Sequence, residues 1–282
     1  MTHGRLLALA GCAPDGWLTV ARETLAAGAT ARLEDMFTSL RQFDMSPKPR
    51  HFEMPIAQED PVDRAVVATV AAQRAQACWV TMRDGTAPVY LVQADSEADL
   101  PAVTAAVQRA LLAARERSPR VEVFAPLSAL PEYHEEALLA ARMLWSGSPA
   151  TPIRIARTFD GATEDGPYFL PGHELMLDER IRHDLVAFLS AGEQVLDAPQ
   201  DLPDVVVPSA GPVPGGLRSD GLVIWSDATI HYLDRHMISP AAELAAHAAG
   251  RTPVSRLTHL ERHRVRAALD PNHEEEPLWR AG

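Results

Sequence analysis

The sequence predicts an α+β protein: an N-terminal helical hairpin, a β-β-α-β mixed-sheet unit with packed helices, and a second α+β domain that ends in helices. Three observations support this class. Apolar residues recur at helical spacing in 1–45, β-rich runs flank a long helical stripe between 78 and 125, and the stretch SGSPATP interrupts the pattern at 146–152. A chain of 282 residues has the length of about two domains, placed at 1–147 and 153–282.

The helical hairpin is predicted on both sides of Gly28, where one apolar stripe ends and a second begins. The stripes contain Leu18, Ala21 and Leu25 before this glycine and Leu33, Phe37 and Leu40 after it. A proline-rich break follows at 46–49. Asp60 and Pro61 then begin a helix expected to reach about residue 76, because proline at the first helical position loses no hydrogen bond.

The mixed-sheet unit is predicted from β-rich runs at 78–82 and 88–93, joined by a turn that contains Asp84 and Gly85. A helix over about 98–117 and a strand over 120–125 follow, and a connection of this length permits a parallel crossover. A helix over 131–145 is predicted to close the unit, because these residues keep helical spacing: Leu130, Tyr133, Ala137, Ala141 and Leu144.

The second domain is predicted to contain a strand over 153–159, a helix over 178–191, a proline-rich loop over 197–216 and two last helices over 239–250 and 254–269. Between them, Asp220 and Gly221 form a turn dipeptide, and 222–225 is a short apolar strand. Ser226 or Asp227 then caps a helix. On that helix the residues predicted to be buried are Ile230, Leu233 and Met237, and those facing water or a partner are His231, Asp234 and Arg235.

This strand-helix junction contains the candidate binding site: Arg218, Asp220, Trp225, Asp227, His231 and Tyr232. Structural roles would also explain most of these residues. Tryptophan could belong to the core, Asp227 could be a cap, Asp220 a turn residue and tyrosine a packing residue with its hydroxyl at the surface. No catalytic residue is predicted.

Histidines are concentrated in the C-terminal part of the chain: His231, His236, His247, His259, His263 and His273. His259 and His263 are four positions apart on a predicted helix and share a face, whereas His231 and His236 are predicted to point well apart. Arginines at 262, 264 and 266 surround the first pair and would repel a cation. We therefore expect histidines on the solvated surface and no metal site.

The charge and motifs exclude several classes of protein. A net charge of −12, with a pI near 5.3, disfavours nucleic acids and anionic membranes and favours a basic protein partner or a small ligand. The single lysine, Lys48, lies between two prolines without a glycine-rich loop, which excludes a Walker phosphate loop and a Schiff-base enzyme. The patterns G-x-S-x-G, G-x-G-x-x-G, H-E-x-x-H and P-C-x-x-C are absent. We predict no cofactor and, without excluding an enzyme, favour a non-catalytic role.

Cysteine usage favours a reducing cytoplasm, because Cys12 and Cys78 are too few for a disulfide framework or a tetrahedral metal site. The run Leu9-Ala10-Gly11-Cys12 has the form of a lipoprotein cleavage box, but the apolar run at 6–11 is shorter than the roughly 7–15 residues of a signal peptide. No stretch approaches the roughly 20 apolar residues of a membrane span. The oligomeric state stays open.

A group of uncharacterised actinobacterial proteins has a closing motif, R-T-D-G followed by W-x-D-A and a Tyr-Tyr-Leu helix. This chain resembles it at Arg218-Ser219-Asp220-Gly221, Trp225-Ser226-Asp227-Ala228, Tyr232-Leu233 and Pro240. His231 replaces the first tyrosine, and Met237 stands where glycine is common. With a second similar segment at 119–145, the resemblance covers about half of the chain and implies no chemistry. An association of the group with interbacterial toxin loci favours an immunity function.

Three functions are compatible with the sequence. The first is a non-catalytic acidic protein-interaction protein, an immunity or adaptor protein that binds a basic partner. The second is an enzyme or small-ligand-binding protein with a site at the 218–232 junction, which a deep pocket with perturbed titratable groups would favour. The third is a structural scaffold or homo-oligomer component, which a large apolar surface would favour. Net charge and the missing motifs favour the first.

Overall fold

The computed structural model describes residues 2–40, 43, 50–56, 58, 60–198, 201–270 and 279–280. Its contacts divide the chain into two units that separate after Ala150, within the SGSPATP stretch. The strand Trp279–Arg280 belongs to the first unit, although the sequence analysis placed the C-terminal end in the second domain. The fold class is α+β, as predicted. The proline-rich break at 46–49 lies outside the described residues.

The first unit contains, in chain order, α1 (Thr2–Ala8), α2 (Asp15–Ala26), α3 (Thr30–Ser39), β1 (Phe52–Glu53), α4 (Pro61–Ala71), β2 (Ala75–Arg83), β3 (Ala87–Ala94), α5 (Leu100–Ala113), β4 (Val121–Phe124), α6 (Glu132–Leu139) and β5 (Arg142–Ser146). The second unit contains β6 (Arg154–Ile155), β7 (Gly161–Thr163), β8 (Gly166–Tyr168), α7 (Glu179–Ala191), β9 (Glu193–Leu196), β10 (Leu202–Pro203), β11 (Pro212–Val213), β12 (Leu217–Ser219), β13 (Val223–Ser226), α8 (Asp227–His236), α9 (Ala242–Ala248) and α10 (His259–Leu269). Strand β14 (Trp279–Arg280) follows.

A mixed six-stranded sheet organises the first unit in the order β14-β5-β2-β3-β4, with β1 beside β2. The predicted β-β-α-β arrangement is present: β2 and β3 are antiparallel, and α5 connects β3 to the parallel strand β4. Valines of α4 and α5 pack with Cys78, Val80 and Val92 of the sheet in one buried cluster. Burial of these side chains removes apolar area from water and stabilises the unit.

The prediction of one helix over 131–145 is wrong. Helix α6 ends at Leu139, and Arg142–Ser146 forms β5, antiparallel to β2. Met143, Leu144 and Trp145 are all buried, as in a strand covered on both faces. Periodicity alone does not separate such a short apolar run from a buried helix.

A four-stranded sheet organises the second unit in the order β6-β13-β12-β9. Four elements contribute side chains to the core of this unit: Trp225 of β13, Leu233 of α8, Leu189 of α7 and Leu244 of α9. The strand predicted over 153–159 is reduced to the two residues of β6, because only these pair with β13. The last helix begins later than predicted, at His259, where Thr258 and Glu261 form a reciprocal capping box.

The predicted proline-rich loop contains the antiparallel pair β10 and β11 and a short 3₁₀ helix, Pro208–Ala210. Among the helices in the described part of the chain, none combines the length and the apolar composition that a membrane span requires.

Candidate functional site

The β12-β13-α8 segment forms because its turn and its cap satisfy the backbone locally. The Asp220 carboxylate accepts hydrogen bonds from the N–H groups of Leu222 and Val223, and Gly221 adopts a φ of 88°. Ser226, one of the two residues predicted as the cap, accepts from the N–H of Ala228. The helix ends at His236, and the cap residue Met237 has a left-handed φ of 59°.

Arg218 and Asp227 bind each other and connect backbone elements. Arg218 Nε donates to Asp227 Oδ1 at 2.6 Å, and its Nη1 donates to the carbonyl oxygens of Ser190 and Gly192. This guanidinium therefore links β12 to the start of α8 and the end of α7. Both side chains contact groups of the protein itself.

Trp225 is fully buried, and its indole N–H donates to the carbonyl oxygen of Leu189 at 3.1 Å. It packs beside Phe188 in the core of the second unit. Trp225 is therefore a core residue, and its ring is not available to a ligand at the surface.

Asp220 is paired with His247, which the sequence analysis did not select. Asp220 Oδ2 lies 2.5 Å from His247 Nε2, and both side chains are almost fully buried. Arg154 Nη2 lies 3.4 Å from the other ring nitrogen of His247. Together with its turn hydrogen bonds, this pair makes Asp220 a link between the β12-β13 turn and α9.

His231 belongs to a separate cluster with Asp204 and His236. The Nε2 atoms of His231 and His236 lie 2.9 Å and 2.7 Å from the same oxygen, Asp204 Oδ2. The prediction that these two histidines point well apart is wrong. Positions five apart on a helix differ by about 140°, but both rings lean toward the Asp204 carboxylate beside α8.

Asp204 is held as a carboxylate by its surroundings. Burial alone would raise the pKa of Asp204, but the hydrogen bonds from His231 and His236 and from the N–H groups of Val206 and Val207 hold it well below its usual range. The two N–H groups bind Oδ1, and the two imidazoles bind Oδ2. One buried carboxylate therefore uses both oxygens, one toward the backbone and one toward the histidines.

Tyr232 lies beside this cluster in an aromatic core with Phe159 and Phe169. Its ring is buried, in agreement with the packing role, but its hydroxyl is not at the surface: it accepts from the N–H of Val205 at 3.2 Å. Burial raises the pKa of Tyr232, and the charge of Asp204 adds to this effect. Through this hydrogen bond Tyr232 holds Val205, the residue after Asp204, in place.

The six candidate residues thus divide into three groups and do not form one site. Arg218, Asp227 and Trp225 hold the junction together, and Asp220 pairs with His247. His231 contacts Asp204, and Tyr232 binds the next residue, Val205. Asp204 was missed, because it is 27 positions before His231 and lies in a loop that sequence patterns leave unplaced. His236 was considered and set aside, because it was predicted to point away from His231.

The histidines His259 and His263 are buried on α10, which corrects the expectation that they lie on the solvated surface. His273 lies outside the described residues. In the part of the chain that the structure describes, the set of three or more His, Cys, Asp or Glu side chains with converging donor atoms is Asp204, His231 and His236.

The described residues of the second unit line at least two open cavities, and no candidate residue lines either of them. One, of about 390 Å³, lies between α7 and α9. The other, of about 380 Å³, is lined by Tyr168, Leu170, Leu175, Val206 and neighbouring residues. Residues 164–179 contribute most of the walls of this second cavity and include acidic residues on both sides of them. We call them the 164–179 surface.

The 164–179 surface combines apolar and acidic side chains. Its exposed large apolar residues are Tyr168, Leu170, Leu175 and Leu177, and its exposed carboxylates are Glu164, Asp165, Glu174, Asp178 and Glu179. No lysine or arginine occurs within it, and the exposed Arg180 follows it directly. Its one histidine, His173, lies between Asp160 Oδ2 and the carbonyl oxygen of Ser239, 2.8 Å from each. Burial would lower the pKa of His173, but these two acceptors raise it.

Comparison with known proteins adds no relative: no protein-family model, curated protein or solved structure matches this chain.

Proposed function

We propose that this protein is a non-catalytic interaction protein of the cytoplasm, an adaptor or immunity protein, that binds a basic protein partner through the 164–179 surface. The observation that carries the proposal is the exposure of four large apolar side chains on one short segment whose charged residues are all acidic. Exposed apolar patches with a polar rim are typical of protein interfaces.

The cavity of about 380 Å³ favours a partner with a protruding apolar side chain. Tyr168, Leu170 and Leu175 line it, and interfaces obtain most of their binding energy from a few apolar or aromatic anchors in such pockets. The partner's anchor would enter this cavity while basic residues around the anchor face the carboxylates.

Charge supports a basic partner over an acidic one or a nucleic acid. The chain has a net charge of −12, and five exposed carboxylates lie within the 164–179 surface. Opposite charge on a partner increases the association rate, and like charge opposes encounter. Phosphate backbones would be repelled by the same groups.

The surface is also held in one conformation before a partner arrives. Asp160 Oδ2 accepts from the N–H of Leu170, and His173 connects Asp160 to the carbonyl oxygen of Ser239. Leu175 forms an isolated bridge with Ile238. A surface that is already ordered loses less conformational entropy on binding.

The test is capture from the native host with tagged wild type and with Leu170→Ser/Leu177→Ser. A matched control, Ile155→Ser/Leu196→Ser, removes two other exposed aliphatic side chains of the second unit. We expect a stoichiometric basic protein with wild type and control, and its loss with the surface variant. Equal recovery by all three proteins, or recovery of an acidic partner, would overturn the proposal.

A charge variant then tests the electrostatic part with the purified partner. Glu164→Gln/Glu174→Gln removes two charges from the surface, and Asp95→Asn/Glu97→Gln removes two exposed charges from the first unit. We expect the association rate to fall several-fold in the first variant and with added salt, and to change little in the second. A rate that is insensitive to both salt and the surface charges would contradict electrostatic recognition.

A further inference from the structure

We propose that Asp204, His231 and His236 bind a divalent transition-metal ion, and that Zn²⁺ fits their donor set. The sequence alone led us to expect no metal site, and this proposal departs from that expectation. It does not depend on the proposed partner binding. It rests on the convergence of two imidazole nitrogens and one carboxylate oxygen that come from two distant parts of the chain.

The donor atoms are close enough to share one ion. Asp204 Oδ2 lies 2.9 Å from His231 Nε2 and 2.7 Å from His236 Nε2, and donor atoms of all three residues lie within 4.8 Å of one another. In a tetrahedral zinc site with bonds of about 2.0–2.1 Å, donor atoms are separated by roughly 3.3 Å. Small side-chain rotations that open the cluster would therefore make room for the ion.

The chemistry of the donors selects the class of metal. Imidazole suits zinc and neighbouring transition metals, whereas Mg²⁺ and Ca²⁺ prefer oxygen ligands. Two imidazoles and one carboxylate leave a fourth position for water or another ligand, as in catalytic zinc sites. The His231 and His236 side chains are 10% and 13% exposed, so the cluster borders solvent on the side of the two histidines.

Groups outside the donor set orient it. The N–H groups of Val206 and Val207 bind Asp204 Oδ1, which leaves Oδ2 directed at the histidines. The Tyr232 ring lies 5.2 Å from the His231 ring and 5.9 Å from the His236 ring, between centroids. Hydrogen bonds and packing of this kind hold ligands of known metal sites in place.

Asp204 also has a structural role, because its Oδ1 accepts from the Val206 and Val207 N–H groups, and a metal at Oδ2 would add to that role. A buried charge that is paired with two polar rings adds little net stability compared with apolar side chains of the same volume, because all three groups must leave water. A bound cation, by contrast, uses all three donors at once and stabilises the folded state by its own binding energy.

The test uses the full chain without an affinity tag, after treatment with a chelator. Calorimetric titration with ZnCl₂ should show one equivalent bound to wild type. His231→Gln and His236→Gln should each weaken binding at least about tenfold. His183→Gln, which removes an exposed histidine of the same unit, should bind as wild type does. Mg²⁺ at the same concentrations should give no heat.

Two further measurements keep the test decisive if a variant does not fold. X-ray absorption of zinc-loaded wild type should show two imidazole ligands at about 2.0–2.1 Å. Co²⁺ bound to wild type should produce a visible absorption band. The band should be absent from His231→Gln and from His236→Gln, provided that the variant keeps the wild-type circular dichroism. Absence of stoichiometric zinc on wild type, or unchanged binding by both folded variants, would overturn the site.

Discussion

Arg218, in the middle of β12, and Asp227, the first residue of α8, are joined at 2.6 Å, Nε to Oδ1. The same guanidinium donates to two carbonyl oxygens at the end of α7, Ser190 and Gly192. Asp227 also begins α8, and its N–H donates to the carbonyl oxygen of Gly216. A pair that looked like a binding site in the sequence therefore connects three elements of the fold.

This pair should contribute to stability as a unit. We expect Arg218→Met to lower the free energy of unfolding by about 1–3 kcal/mol, because it leaves the carboxylate and the carbonyl oxygens without their donor. Asp227→Asn should lower it less. The double variant should cost less than the sum of the single variants, since both remove one interaction. Urea unfolding followed by circular dichroism measures all three, and strict additivity would contradict the coupling.

Gly192 is required by the position of Trp225. A Cβ at Gly192 would overlap the Trp225 ring and come within 3.3 Å of the carbonyl oxygen of Ser219. We expect Gly192→Ala to destabilise the protein by about 1–3 kcal/mol through overpacking. Gly172→Ala is the control, because a Cβ there meets no atom within 4 Å. Equal unfolding midpoints for the two variants would show that the Trp225 ring moves aside without cost.

Local features of the junction were predictable because neighbouring residues cause them. Asp220 and Gly221 form the turn, and Ser226 caps α8, through contacts within three positions. The prediction that Met237 is buried on this helix is wrong, because Met237 is exposed and caps α8 in the left-handed conformation that glycine favours. The α+β class followed from the same local patterns in both halves of the chain.

The contacts that define the candidate site could not be predicted in the same way. Asp204 reaches His231 and His236 across 27 and 32 positions, and His247 reaches Asp220 across 27. Periodicity assigns a side chain to a face of its own helix and does not identify the partner opposite that face. For the same reason β5 was predicted as helix, since its pairing with β2 is set by a strand more than 60 positions earlier.

Glu122 in the first unit should make stability depend on pH. It is buried, accepts from Arg22 at 2.6 Å and lies 3.0 Å from His134 Nε2. Burial alone would raise the pKa of Glu122, but Arg22 and His134 lower it from 4.5 to about 2. Because the folded protein binds this proton less tightly than the unfolded chain, the contribution is present above pH 4.5 and is lost as the pH falls toward 2.

Glu122→Gln tests this contribution. At neutral pH we expect a loss of about 3–5 kcal/mol, because Arg22 stays buried without its counter-charge. The difference from wild type should shrink as the pH falls below 4.5. Glu34→Gln, which removes the exposed partner of Arg5, should cost less than about 1 kcal/mol. A constant difference between wild type and Glu122→Gln over the acidic range would contradict the lowered pKa.

The two cysteines should differ in reactivity. Cys78 is fully buried in β2, and burial, with the nearby charge of Asp63, raises the pKa of its thiol far above the ordinary value, whereas Cys12 is partly exposed. Since the thiolate is the reactive form, an aromatic disulfide reagent should modify only Cys12 in the folded protein and both thiols in urea. Cys12→Ser should abolish the first reaction, and Cys78→Ser should leave it unchanged. Rapid modification of Cys78 without denaturant would show that β2 opens in the native state.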